Sequence, residues 1–135
     1  MIEFDKSYIG DGIYKEVILD HFKHPRNFGK LENPTVKSRD SNPLCGDEIE
    51  IQLEIKNDEI KNIKFQGKGC AISQASASML TENVKEKTIE EVKAITREDI
   101  VEMLNIPIGP VRIKCALLSL IVLRNCINSY GDKNV

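Results

Sequence analysis

The sequence has no Cys-x-x-Cys pair, no excess of one charge, no apolar run of membrane-spanning length and no internal repeat. Without the close cysteine pair it is not a zinc finger or zinc ribbon. A net charge of −2 over 135 residues gives neither nucleic acid nor an anionic membrane a reason to bind. The longest apolar run, Cys115 to Leu123, is broken by Ser119 and is too short to cross a bilayer. Met1-Ile2-Glu3-Phe4-Asp5 lacks the basic flank and apolar stretch of a secretory signal, so a cytoplasmic location is expected. There is no low-complexity segment or linker either, and residues 1–135 read as a single domain with core enough to dispense with disulfides.

Four cysteines remain to be explained: Cys45, Cys70, Cys115 and Cys126. In a reducing compartment they read as metal-binding or reactive thiols before they read as disulfides. Composition fits a soluble globular chain, 41% hydrophobic and 30% charged.

The most informative stretch is Gly67-Lys68-Gly69-Cys70-Ala71-Ile72-Ser73-Gln74-Ala75-Ser76-Ala77-Ser78. Two glycines allow a tight turn after a strand, and Cys70 then falls at the start of a helix, where the dipole favours a thiolate. The small residues that follow make a slim helix that other elements can approach closely. Upstream, Tyr8 to Phe22 reads as a helix with an apolar stripe through Ile13/Tyr14, Val17/Ile18 and His21/Phe22, ended by His24-Pro25. His21 lies on that stripe and His24 at the helix end, with no second ligand at useful spacing, so neither reads as a metal ligand. Arg26 to Asp40 reads as loop, with a short strand near Val36.

Ile49, Ile51, Leu53 and Ile55 alternate with Glu48, Glu50, Gln52 and Glu54, the period of a half-buried strand. Asn57-Asp58 is a hairpin turn, and the return strand spans about Ile60 to Gln66 with a shift of apolar parity that signals a bulge. The hairpin brings the Asn42-Pro43-Leu44-Cys45-Gly46-Asp47 loop and Cys70 to the same end of the sheet. Thr88-Ile89-Glu90-Glu91 is a capping box, and Thr96-Arg97-Glu98-Asp99 opens a further helix that ends before Pro107. Ile106 to Pro110 is a connector. The last helix, Val111 to about Tyr130, is apolar nearly all round and therefore buried. Its first turn carries Arg112, Lys114 and Cys115, a thiol beside two cations.

Cys45, Cys70 and Cys115 each stand at an element boundary, spaced by 25 and 45 residues, and a metal site explains them better than three core thiols. Cys126 follows Cys115 by 11 residues on the same helix, roughly 16 Å further along the axis, and reads as core. Asp47, two residues past Cys45, supplies the fourth ligand, a carboxylate competent for zinc or iron. Arg112 and Lys114 offset part of the negative charge and favour Cys115 as a nucleophilic thiolate. Three sulfurs and one oxygen should hold an iron–sulfur cluster yet release it more readily than four thiolates.

Four ordered stretches resemble the IscU/SufU/NifU N-terminal scaffold family: His21 to Gly29, Asn42 to Asp47, Gly67 to Ser76, and Pro110 to Cys115. The resemblance implies an α/β (α+β) fold, a three-stranded antiparallel sheet packed against about five helices. It implies a [2Fe-2S] cluster, iron or zinc held by Cys45, Asp47, Cys70 and Cys115 at an exposed end. It implies a cysteine desulfurase that delivers sulfur as a persulfide, Cys115 being the candidate acceptor, and apo iron–sulfur proteins that receive the cluster. In Isc-type members the segment before the last cysteine reads Leu-Pro-Pro-Val-Lys, is read by a chaperone, and is followed by histidine. Here it is Ile108-Gly109-Pro110-Val111-Arg112 with Lys114 in the histidine position, which leaves a chaperone as an open third partner. Arg112-Ile113-Lys114-Cys115 is similar to the SufU type, a zinc-dependent sulfur acceptor, whereas the 45-residue spacing is Isc-like. A scaffold is therefore the leading expectation and a sulfurtransferase the second. A purely structural metal ranks last, because the core is large enough without one.

Overall fold

The computed structural model describes residues 9–133. The Met1–Asp5 segment, the expected helix start at Tyr8 and the side chains of Ile13 and Tyr14 lie outside the described residues. Helix α1 (Ile9–Lys23) is followed by strands β1 (Val36–Asn42), β2 (Asp47–Lys56) and β3 (Glu59–Lys68), then by helices α2 (Ala71–Val84), α3 (Ile89–Lys93), α4 (Arg97–Leu104) and α5 (Pro110–Lys133). The strands form one antiparallel sheet in the order β1-β2-β3. The expected three-stranded α+β architecture is the one observed.

The alternation in β2 does what its period predicts: Ile49, Ile51, Leu53 and Ile55 are buried on one face. On the other face Gln52 is also buried, because the chain after α1 folds over it and the Leu31 N–H donates to its Oε1 at 2.8 Å. Asn57 and Asp58 both take left-handed φ values, 53° and 58°, as a two-residue turn matched to strand twist requires. The parity shift in β3 is a bulge: Glu54 pairs with Asn62 and Ile55 with Ile60, leaving Lys61 as the extra residue. That is why Ile60, Ile63 and Phe65 can all be fully buried.

β1 is longer than its sequence suggests. Val36-Lys37-Ser38-Arg39-Asp40-Ser41-Asn42 shows little apolar alternation, yet all seven residues pair with β2. Only its two ends, Val36 and Asn42, are buried. The free edge of β3 is partly covered by Asn27 to Gly29, which exchange backbone hydrogen bonds with Phe65 at 2.9 Å, and Phe28 stacks edge-on against that ring.

Helix α2 is central, and its composition follows from that position. Ser73 to Ser78 are all buried. Ser78 Oγ bonds His21 Nδ1 on α1 at 2.7 Å and accepts the Arg26 N–H at 2.9 Å. On the opposite side, Ser76 Oγ donates to the Ala116 carbonyl of α5 at 2.7 Å. Small hydroxyl residues thus let both neighbours pack closely while their own buried hydroxyls stay paired. Capping boxes open α3 at Thr88 and α4 at Thr96, the second using Asp99.

His21 is a core histidine, as its place on the apolar stripe implies. Burial first, and then the Arg26 guanidinium, hold its pKa below the usual imidazole value, while Glu82 on α2 and Asp20 on α1 oppose the shift. The unfolded chain therefore takes up a proton near pH 6.5 that the fold resists, so stability is full above that pH and falls as pH drops below it. The melting temperature should decline between pH 7.5 and 5.5, and His21→Gln should flatten that decline. An unchanged slope in the variant would remove His21 as the cause.

Candidate metal centre

The pairing of β2 with β3 assembles one end of the molecule. Glu48 at the start of β2 is opposite Lys68 at the end of β3, which puts Asp47 against Gly69 and Cys70. Cys45 lies in the four-residue turn between β1 and β2, its N–H bonded to the Asn42 carbonyl at 3.2 Å and followed by Gly46 at φ +70°. Cys70 is the N-cap of α2, extended in backbone, and its side chain makes no capping bond. Cys115 reaches the same region from α5.

One ligand atom each from Cys45, Asp47 and Cys115 lie within 4.8 Å of one another. Cys70 is not one of these three; its backbone N–H donates to Asp47 Oδ1 at 2.8 Å, and its thiol helps to raise the Cys115 pKa. Tetrahedral zinc with bonds of about 2.3 Å to sulfur separates its ligand atoms by about 3.8 Å, so Cys45, Asp47 and Cys115 are within about 1 Å of closing on one ion. Cys126 is elsewhere: buried, its thiol donates to the Ile51 carbonyl at 3.4 Å, and burial pushes its pKa up to about 12.

Asp47 is the informative member. It is fully buried, and its two oxygens have different fates. Oδ1 accepts from the Cys70 N–H and from Ser73 Oγ at 3.2 Å. Oδ2 has no hydrogen-bond partner among the described residues. A buried carboxylate oxygen left unpaired is costly, and a cation between Asp47 and the sulfurs would satisfy it. The donor set therefore fits a thiophilic metal that accepts one oxygen ligand.

The expected electrostatics of Cys115 need correction. Its thiol is pushed up, not down: burial acts first, followed by Asp47, Cys45 and Cys70. Arg112 and Lys114, expected to favour its thiolate, have exposed side chains on α5, while Cys115 has no exposed surface. α5 begins at Pro110, so Cys115 falls in the second turn, below the helix end and under the sheet turn. Sequence reasoning also missed two polar neighbours. Asn42 Nδ2 points at Cys115 Sγ at 3.9 Å, and Ser73 holds Asp47. Asn42 was visible within the Asn-Pro-Leu-Cys-Gly-Asp run; Ser73, three residues past Cys70, carried no signal apart from its hydroxyl. At the rim, Leu44 and Val111 are strongly exposed, 83% and 70%.

A three-stranded antiparallel sheet with helices packed on it, gathering thiols and one carboxylate at a single end, defines a small α+β domain with a sulfur-rich metal-binding end. The family model of the NifU-like N terminal domain matches residues 13–135. The chain is 40% identical over 122 residues to the iron-sulfur cluster assembly scaffold protein IscU 1 of Archaeoglobus fulgidus, covering 90% of this chain and 79% of the relative. It is 37% identical over 126 residues to the zinc-dependent sulfurtransferase SufU of Bacillus subtilis, covering 81% and 85%. Among solved structures, a scaffold protein for the SUF system from Fervidobacterium islandicum superposes with a TM-score of 0.74 at 30% identity, over 90% of this chain and 99% of that one. The N-terminal part of a NifU-like protein from Brucella abortus gives 0.76 at 25%, over 91% and 97%. The chain belongs to the NifU-like N-terminal domain family.

Proposed function

We propose that this protein is an iron–sulfur cluster assembly scaffold. Iron and sulfur are its cargo: a [2Fe-2S] cluster is built on Cys45, Asp47, Cys70 and Cys115 and passed to apo iron–sulfur proteins. The observation that carries this reading is the convergence of two cysteines and a carboxylate with an orphaned oxygen, with Cys70 bonded through its N–H to that carboxylate. A mixed sulfur and oxygen set holds a cluster without the permanence of four thiolates, which suits a temporary carrier. The scaffold names of the relatives agree with it. No helix among the described residues is long and apolar enough to cross a membrane, and a cytoplasmic place of work fits.

Sulfur is supplied as a persulfide by a cysteine desulfurase. Cys45 and Cys70 are half-buried and can meet an incoming persulfide, whereas Cys115, first considered for that role, has no accessible surface until the site opens. Arg112 and Lys114 are then free to act outside the site, on the partner's surface.

Anaerobic incubation with ferrous iron, cysteine and a desulfurase should yield a coloured protein that transfers its cluster to an apo-ferredoxin. A colourless product under those conditions would defeat the proposal. Zinc-dependent sulfur transfer is the second reading, favoured by Arg112-Ile113-Lys114-Cys115 and the likeness to SufU. It requires stoichiometric zinc in the purified protein and faster desulfurase turnover in its presence.

A further inference from the structure

Asp47 has one oxygen in use and one to spare, and the groups that divide them are local and specific. Oδ1 faces the start of α2, where it accepts the N–H of the N-cap residue Cys70 at 2.8 Å. That bond pairs one of the amides a helix start leaves unsatisfied, and the carboxylate also lies at the favourable end of the helix dipole. A single hydrogen bond still lets the carboxylate rock about the Oδ1 contact and swing both oxygens toward the sulfurs. A second donor prevents this. Ser73 Oγ, fully buried one turn into α2, reaches the same Oδ1 at 3.2 Å. Its one proton is shared between Oδ1 and the Cys70 carbonyl, 3.0 Å away, and its oxygen is held from a further direction by the Gln74 side-chain amide, which donates to it at 3.2 Å.

We infer that Ser73 is a positioning residue for the metal centre: by holding Oδ1 against α2 it makes Asp47 a one-oxygen ligand through Oδ2. This rests on the metal-site reading above and adds to it a residue that touches no metal. The consequence is chemical. A carboxylate bound through one oxygen completes a four-coordinate set with three thiolates, whereas a rocking carboxylate supplies two oxygens and drives the metal toward five-coordination. Groups that orient a ligating carboxylate typically alter metal affinity by about 10-fold to 100-fold when removed. Ser73 also limits what is lost when Asp47 moves: its hydroxyl proton has the Cys70 carbonyl as an alternative acceptor, so the Ser73 donor is not stranded when the site opens.

The test uses zinc and cobalt as probes, on the full chain, in wild type, Ser73→Ala, Asp47→Ala and the double variant. Zinc affinity is read by chelator competition, and coordination number by the intensity of the cobalt d–d bands. Ser73→Ala is expected to weaken zinc by about 10-fold and to lower the cobalt band intensity per metal, a signature that general loosening of α2 does not produce. In the Asp47→Ala background the same substitution should change neither quantity, because its target is gone. Metal-free melting temperatures establish that the variants are compared folded. Wild-type zinc affinity and cobalt bands in Ser73→Ala would overturn the inference while leaving the metal site intact, and so would an equal loss in both backgrounds. If Asp47→Ala itself leaves zinc and cobalt binding unchanged, the metal-site reading fails and the inference falls with it.

Discussion

Cys115→Ser should abolish tight metal binding while sparing the fold, with zinc affinity reduced about 100-fold or more, since each ligand carries a few kcal/mol of a typical thiolate-rich site. Serine keeps the shape and the hydrogen-bonding capacity of the side chain, so Asn42 Nδ2, now 3.9 Å from the sulfur, retains an acceptor and no cavity opens. The substitution removes only the soft donor that distinguishes this site from a polar pocket. Cys126→Ser is the matched control. That thiol is equally buried on the same helix but bonded to the Ile51 carbonyl, far from Asp47, and zinc affinity should not change. The measurement is chelator competition alongside the metal-free melting temperature. Equal losses of zinc binding in the two variants would mean that α5 packing, and not ligation by Cys115, governs the metal.

The contrast between these two cysteines was legible in the sequence because helix rise alone separates them. The same is true of the site's general location. Strict alternation in β2, a turn at Asn57-Asp58 and a return strand sufficed to bring Asp47 and Cys70 to one end, and the structure links them through the Cys70 N–H. Even the bulge left a trace, in the parity of Ile60 and Ile63.

What could not be read was anything decided by a third element. β1 is a full strand because it borrows hydrogen bonds from β2 and cover from α5 at its ends, not because Lys37 to Ser41 favour that conformation. Cys115 read as an activated thiolate because charged residues flank it in the chain. Adjacent helical positions differ by about 100° in direction, however, so Lys114 can face water while Cys115 is sealed under the β1–β2 turn. The reversal of its expected pKa direction follows from that burial. Ser73 and Asn42 were hidden for a related reason. Their importance lies in which side chains they meet, 26 and 73 residues away.

Gly69→Ala is expected to destabilise the protein by about 2–4 kcal/mol and to dismantle the metal centre at the same time. Two independent requirements meet at this residue. Its φ of +136° is a conformation that residues with a Cβ rarely adopt. A Cβ built there would also overlap Asp47 Oδ1 and crowd its Cα. Relief of either strain moves the same atoms: turning Gly69 withdraws the Cys70 N–H, and displacing Asp47 breaks its bonds to Cys70 and Ser73. Thermal unfolding and zinc competition on one preparation should therefore both show large losses. Gly131→Ala provides the counterweight, since a Cβ there meets nothing within 4 Å and the position is an exposed turn of α5. There, exchanging glycine for alanine should stabilise the helix by about 0.5–1 kcal/mol and leave metal binding alone. A Gly69→Ala protein with wild-type melting and wild-type zinc affinity would show that the backbone at the start of α2 is not what aims Asp47.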